Sequence, residues 1–209
     1  MSQSILTATR IELGCGAAKQ PGFFGIDKKA SPAVDLVLDF ETNPLPFADN
    51  SIDAVFSAHS LEHLRRVSKA LREVVRVCRH DASVEIWTPY LKSDEAFLQD
   101  HNIYFNERMW QNICFASDRA VLGNTPGYFL WEETRYHLKP GVPSMLKEFN
   151  LPIGFAVNHM FNICIEWGVF LRVKKDEPRA PGPQAPKVTY CLGRRDNLIA
   201  IPDRIAGQL

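Results

Sequence analysis

Five short apolar segments crowd the first part of the chain: Arg10 to Leu13, Phe23 to Ile26, Val34 to Leu38, Ile52 to Ser57 and Ser83 to Trp87, each rich in Val, Ile or Phe. Near-continuous hydrophobicity in so few residues predicts strands buried on both faces. That is the behaviour of a parallel sheet covered by helices, so an α/β fold with a mostly parallel sheet and helices on both faces is expected.

The connections refine this frame. Between the fourth and fifth segments, Leu61, Leu64, Val67, Leu71, Val74, Val75 and Cys78 recur at three- and four-residue steps. Arg65, Arg66, Lys69, Arg72, Arg76 and Arg79 take the other positions. The pattern predicts an amphipathic helix, capped by Ser60, with a solvated basic face. From Tyr90 to Phe155 the pattern is irregular and aromatic-rich, with one helix expected at Asn106 to Phe115. Residues 90–155 are expected to form a cap inserted after the fifth strand, over the carboxyl edge of the sheet, with aromatics that mostly pack its own core. Phe161 to Lys174 reads as a long returning strand that closes a domain of residues 1–176. Glu177 to Pro186, with four prolines, reads as a stiff linker opening a tail of residues 177–209. In that tail Lys187 to Leu192 and Asn197 to Ile201 are expected to pair as a hairpin, packed on the core or on a second copy in a homodimer.

A length of 209 residues suits one well-buried domain with an embellishment. The formal net charge of zero argues against a nucleic-acid partner held by an overall positive field. Met1 to Arg10 lacks the basic start and apolar stretch of a secretory signal, and no apolar run approaches the roughly 18 residues that span a bilayer, so a soluble protein without a membrane partner is expected. The five cysteines, Cys15, Cys78, Cys114, Cys164 and Cys191, never form a C-x-x-C pair. Neither a disulfide framework nor a zinc site follows, and a cytoplasmic location fits best.

Chemistry is expected at the end of the first strand, which runs into Gly14-Cys15-Gly16. Glycines there let a ligand approach the backbone, although a tight turn without a ligand has the same pattern. The second strand ends in Asp27-Lys28, where the carboxylate can accept hydrogen bonds from both hydroxyls of a ribose. The path from Gly16 to Asp27 is too short for the full helix that would hold a pyrophosphate, which favours S-adenosylmethionine over NAD. At the third strand, Asp39 can accept from an adenine amino group and Phe40 can pack on the base.

Taken together, Ile11-Glu-Leu-Gly-Cys-Gly16, Gly25-Ile-Asp27, Leu45-Pro-Phe-Ala-Asp-Asn-Ser-Ile-Asp-Ala-Val55 and His59-Ser-Leu-Glu-His63 resemble successive signatures of class I S-adenosylmethionine-dependent methyltransferases, type 11 group. The resemblance covers about Arg10 to Pro89 and implies a Rossmann-like core. It implies that Glu12 and Gly14, Cys15 and Gly16 face the methionine part of the cofactor, that Asp27 with Lys28 holds the ribose and Asp39 with Phe40 the adenine, and that Ala58 and His59 line the methyl end. Two departures are Ala18 in place of a third glycine, and Arg79-His80-Asp81-Ala82 in place of a glycine-rich turn before the fifth strand.

Methyl transfer is an in-line displacement in which positioning supplies much of the rate. A hydroxyl acceptor must also lose its proton, for which a histidine is suited. His63 lies one helical turn from His59, and Asp100-His101 with Tyr104 forms a second polar cluster. His101, His63 and Asp100 are therefore the catalytic candidates, with His101 the leading base. Tyr104 and Trp110 are the acceptor-binding candidates. Asp100 and His101 are possible metal ligands, but no third ligand is evident, so no metal is expected. The expected activity is O-methylation of a small molecule such as a sugar or secondary metabolite. The alternatives are an N-methyltransferase, a catalytically silent cofactor-binding or scaffolding subunit and, more remotely, an NAD-dependent oxidoreductase.

Overall fold

The computed structural model describes residues 8–115, 121–178, 185–193, 195 and 198–201. Among these, strands β1 (Arg10–Leu13), β2 (Phe24–Asp27), β3 (Leu36–Val37), β4 (Ile52–Ala58), β5 (Cys78–Pro89), β6 (Tyr128–Leu138), β7 (Cys164–Lys174), β8 (Lys187–Leu192) and β9 (Ile199–Ile201) form one sheet. Its order is β3-β2-β1-β4-β5-β7-β6-β8-β9. The strands from β3 to β5 are parallel, as the continuous apolar runs predict. β7 runs antiparallel to β5 and β6, β8 lies parallel to β6, and β9 closes antiparallel on β8. With α1 (Val67–Val77), α2 (Glu107–Phe115), α3 (Val142–Glu148) and α4 (Ile153–His159), this is a Rossmann-like α/β fold whose sheet is mostly parallel.

The expected helix from Leu61 begins later. Leu61–His63 is a single 3-10 turn, Leu64 is extended, and α1 starts at Val67. The Ser60 side chain makes no capping bond. Glu41 instead accepts the N–H groups of Arg65 and Arg66 at 2.7 and 2.8 Å just ahead of the helix. The apolar face of α1 buries Val67, Ala70, Leu71, Val74, Val75 and Val77. Part of its basic face is spent inside the molecule, because Arg76 donates to the Leu45 and Phe47 carbonyls and to Glu73 and Asp49. That clamp fixes the Leu45 to Asp49 loop on α1. Arg79 to Ala82, expected as a turn, lies inside β5, where Asp81 takes a φ of 62° and the register with β4 shifts.

The expected cap is smaller than residues 90–155. Tyr128–Leu138 is an inner strand between β7 and β8, with Phe129, Trp131 and Tyr136 buried in the core. The charges that obscured it pair within the sheet, Glu132 with Arg172 and Glu133 with Arg135. The tail hairpin packs on the chain's own sheet, with β9 at the edge. Residues 179–184 of the expected linker, 194, 196 and 197 of the hairpin, and the termini 1–7 and 202–209 lie outside the described residues. Among those described, no helix is long and apolar enough to cross a membrane.

Candidate active site

In this strand order the chain direction across the sheet reverses between β1 and β4, the switch point at whose carboxyl ends open α/β sheets bind ligands in a crevice. The loop after β1 enters it. Gly14 and Gly16 have φ of 73° and 57°, the left-handed region that glycine adopts without penalty. The Gly14 and Cys15 N–H groups donate to the Ile26 carbonyl at 2.8 and 3.3 Å, tying the loop to β2. The Gly16 N–H donates to Asp27 Oδ2 at 2.9 Å, and the Lys29 N–H to Oδ1 at 2.8 Å. Each carboxylate oxygen thus keeps a lone pair for a further donor, the requirement for gripping a ribose diol. A Cβ built on Gly16 would meet nothing within 4 Å, so the space before the loop is open.

Glu12 is buried beneath this loop and accepts the Gln20 N–H at 2.5 Å. Burial raises its pKa, opposed by that bond and by the charges of Arg195 and Lys19. Burial, together with Glu12 and Asp27, pushes the Cys15 thiol up to about 11, so Cys15 is a structural thiol and no nucleophile at neutral pH. Lys28 is exposed beside Asp27. These residues fit S-adenosylmethionine: a close-approach loop, a diol acceptor and no helix for a pyrophosphate. Asp27→Ala is expected to weaken S-adenosylhomocysteine binding by about 2 kcal/mol in calorimetry, and an affinity within twofold of wild type would remove Asp27 from the site.

The expected adenine pair is less well placed. Asp39 accepts the Glu41 N–H and the Thr42 hydroxyl, each at 3.0 Å. Phe40 is buried in the core and lines a separate cleft with Lys69 and Arg72, away from the Gly16 loop.

Next to the crevice, the ends of β4, β5, β6 and β7 frame a pocket of about 540 Å³. His59, His63, His101 and His137 line it, four of the six histidines in the chain, with Glu62, Glu95, Asp100 and Glu166. Ala58 is the last residue of β4. His59 follows it at a φ of 50°, its N–H bonded to the Trp87 carbonyl at 2.9 Å. Its Nε2 is 2.6 Å from Glu166 and its Nδ1 3.4 Å from Glu62. Burial disfavours its charged form, but the two carboxylates outweigh it and hold the pKa at about 9, so His59 is cationic at neutral pH. Glu166 also bonds His137 Nδ1 at 2.9 Å, with Arg195 Nε at 3.6 Å. Burial pushes its carboxyl up, and the bonds from His137 and His59 with the Arg195 charge more than offset this, leaving about 2.

His63 and His101 stand edge to face with ring centroids 4.8 Å apart, and Asp100 Oδ2 lies 3.3 Å from His63 Nδ1. The three catalytic candidates are therefore brought together. Of the acceptor-binding candidates, Tyr104 is 43% exposed and stacks on Phe97, outside the pocket lining. Trp110 is fully buried against Phe105 and cannot touch an acceptor. The sequence reading missed Glu62, Glu166 and Arg195 and left His137 unassigned. Glu62 was legible inside His59-Ser-Leu-Glu-His63; His137 and Glu166 reach the pocket only through the pairing of β6 and β7, and Arg195, beyond β8, approaches Glu166.

Residues 15–86 match the family model of a methyltransferase domain. No curated protein matches the chain. Among solved structures, a SAM-dependent methyltransferase from Archaeoglobus fulgidus is similar with a TM-score of 0.53 at 12% identity, covering 78% of this chain and 85% of that one. The YcgJ protein from Bacillus subtilis is similar with a TM-score of 0.50 at 16% identity, covering 82% of this chain and 94% of that one. At such identities the likeness is one of fold. Residues 15–86, which hold Cys15, Gly16 and Asp27, are thus similar to the methyltransferase-domain family, and the chain as a whole shares the fold of S-adenosylmethionine-dependent methyltransferases.

Proposed function

We propose that the protein transfers the S-adenosylmethionine methyl group to a hydroxyl of a small polar molecule bound in the histidine-lined pocket. The carrying observation is the convergence of His59, His63, His101 and His137 at the carboxyl edge, beside the Gly14 to Gly16 crevice. A pocket of about 540 Å³ falls in the range of small-ligand sites. The histidines and carboxylates in its lining can hydrogen-bond a hydroxylated acceptor such as a sugar. His101 Nδ1 lies 3.2 Å from the Ala96 carbonyl, an acceptor only, so Nδ1 carries the proton and the Nε2 lone pair is free to meet the acceptor hydroxyl. The five cysteines are buried and none is in a disulfide, which fits a reducing, cytoplasmic setting.

The test is methyl transfer to a panel of hydroxylated small molecules, followed by mass spectrometry. His101→Ala is expected to bind S-adenosylhomocysteine as wild type does and to transfer methyl groups more slowly. Unchanged turnover in that variant would remove His101 from the reaction.

A further inference from the structure

Glu62 is 1% exposed, lines the pocket, and neither carboxylate oxygen has a hydrogen-bond partner. Oε1 pairs at 3.4 Å with His59 Nδ1, an ion-pair contact longer than a charge-assisted hydrogen bond, so both oxygens still lack a hydrogen-bond donor. A carboxyl group buried without a hydrogen-bond partner is costly unless a donor or a metal ion meets it. Two imidazoles face the same point: one ligand atom each from Glu62, His63 and His101 lies within 4.8 Å of the others.

The hydrogen bonds of the rings set which nitrogens are available. His101 Nδ1 is held by the Ala96 carbonyl at 3.2 Å, and His63 Nδ1 by the Asp100 carbonyl at 3.1 Å. A carbonyl only accepts, so each Nδ1 bears hydrogen and each Nε2 keeps its lone pair. A metal-binding histidine is oriented in this manner, with its other nitrogen donating to a carbonyl or carboxylate. Asp100 Oδ2, 3.3 Å from His63 Nδ1, supplies the carboxylate form of the same support. The pocket is also acidic, its lining carrying Glu62, Glu95, Asp100 and Glu166.

We propose that Glu62, His63 and His101 bind a divalent first-row metal ion of the zinc class in this pocket. Two imidazoles and one carboxylate form a recognised set for such ions in which the fourth position stays open. Bound at about 2.0–2.1 Å, the ligand atoms of a tetrahedral ion stand about 3.4 Å apart, so side-chain rotations of about 1 Å close the site. For the use of the ion, the inference rests on the hydroxyl-methylation reading: an acceptor hydroxyl on the ion would lose its proton to water near neutral pH, and His101 would act as ligand in place of base.

The test is equilibrium dialysis of the chelator-treated full-length protein against Zn²⁺, with bound metal measured by plasma mass spectrometry and S-adenosylhomocysteine binding followed in parallel. One ion per chain is expected. Glu62→Gln, which keeps the shape of the side chain, and His63→Gln are each expected to lower Zn²⁺ affinity about 100-fold or more, while thermal unfolding and S-adenosylhomocysteine affinity stay near wild type. A folded wild type that binds S-adenosylhomocysteine but retains no Zn²⁺ would overturn the metal site and leave the methyltransferase reading standing, as would unchanged Zn²⁺ affinity in both variants. Failure of S-adenosylhomocysteine binding with Zn²⁺ retained would strike the methyltransferase reading alone.

Discussion

Gly14→Ala is expected to lower stability by about 3 kcal/mol and to eliminate measurable S-adenosylhomocysteine binding. Two costs combine. The φ of 73° lies in the left-handed region, where an alanine costs about 1–2 kcal/mol. A Cβ at Gly14 would also fall 1.9 Å from Ser60 Oγ and 2.3 Å from Ser60 Cβ, so rotating the serine hydroxyl does not relieve the clash. The loop or the segment after β4 must move, and both border the cofactor crevice. Adding Ser60→Gly removes both clashing atoms. The double variant is expected to recover the steric part and retain a deficit of about 1–2 kcal/mol. Urea denaturation separates the two contributions, and a Gly14→Ala protein of wild-type stability would show that Ser60 does not pack against the loop.

Glu166→Gln is expected to remove a pH-dependent contribution on the order of 3 kcal/mol. The Glu166 carboxyl is held at about 2 against a reference of 4.5, because the bonds from His137 and His59 and the Arg195 charge outweigh burial. With a folded pKa below the unfolded one, the contribution is fully present above about pH 4.5 and is lost as the pH falls towards 2. The stability difference between wild type and Glu166→Gln should therefore narrow by about 3 kcal/mol across that window. A difference that stays constant from neutral pH to pH 2 would mean that Glu166 is not selectively stabilised as the anion.

How far this molecule is legible in its sequence depends on what holds each element. β1, β2 and β4 follow from apolar runs buried on both faces, and their observed ends lie within a residue or so of the expected ones. The start of α1 does not follow, because the N–H groups of Arg65 and Arg66 just ahead of it are satisfied by Glu41, a residue far away in sequence. β6 was hidden for a related reason. A run holding Glu132, Glu133 and Arg135 reads as a solvated edge, yet those charges are paired across or along the sheet.

The site divides in the same manner. Its proposed cofactor half is local: Gly14 to Gly16 follow β1 and Asp27 ends the adjacent parallel β2, and their short separation already carries the geometry. The half proposed to hold the acceptor is assembled from distant segments. His59 and Glu62 come from the end of β4, His101 from the loop after β5, His137 and Glu166 from β6 and β7, and Arg195 from the tail hairpin. No periodicity links those positions. Trp110 shows the opposite error: an aromatic in a polar neighbourhood of the sequence turns inward and fills the core.

The cofactor crevice is the central element of the account, because the pocket, the histidines and the proposed metal site have a catalytic meaning only if a sulfonium methyl group lies beside them. Calorimetric titration of the full-length, folded protein with S-adenosylhomocysteine tests it most directly. Saturable binding of one ligand per chain, weakened by Asp27→Ala, is expected; no heat of binding at millimolar ligand from a folded sample would contradict a cofactor site there.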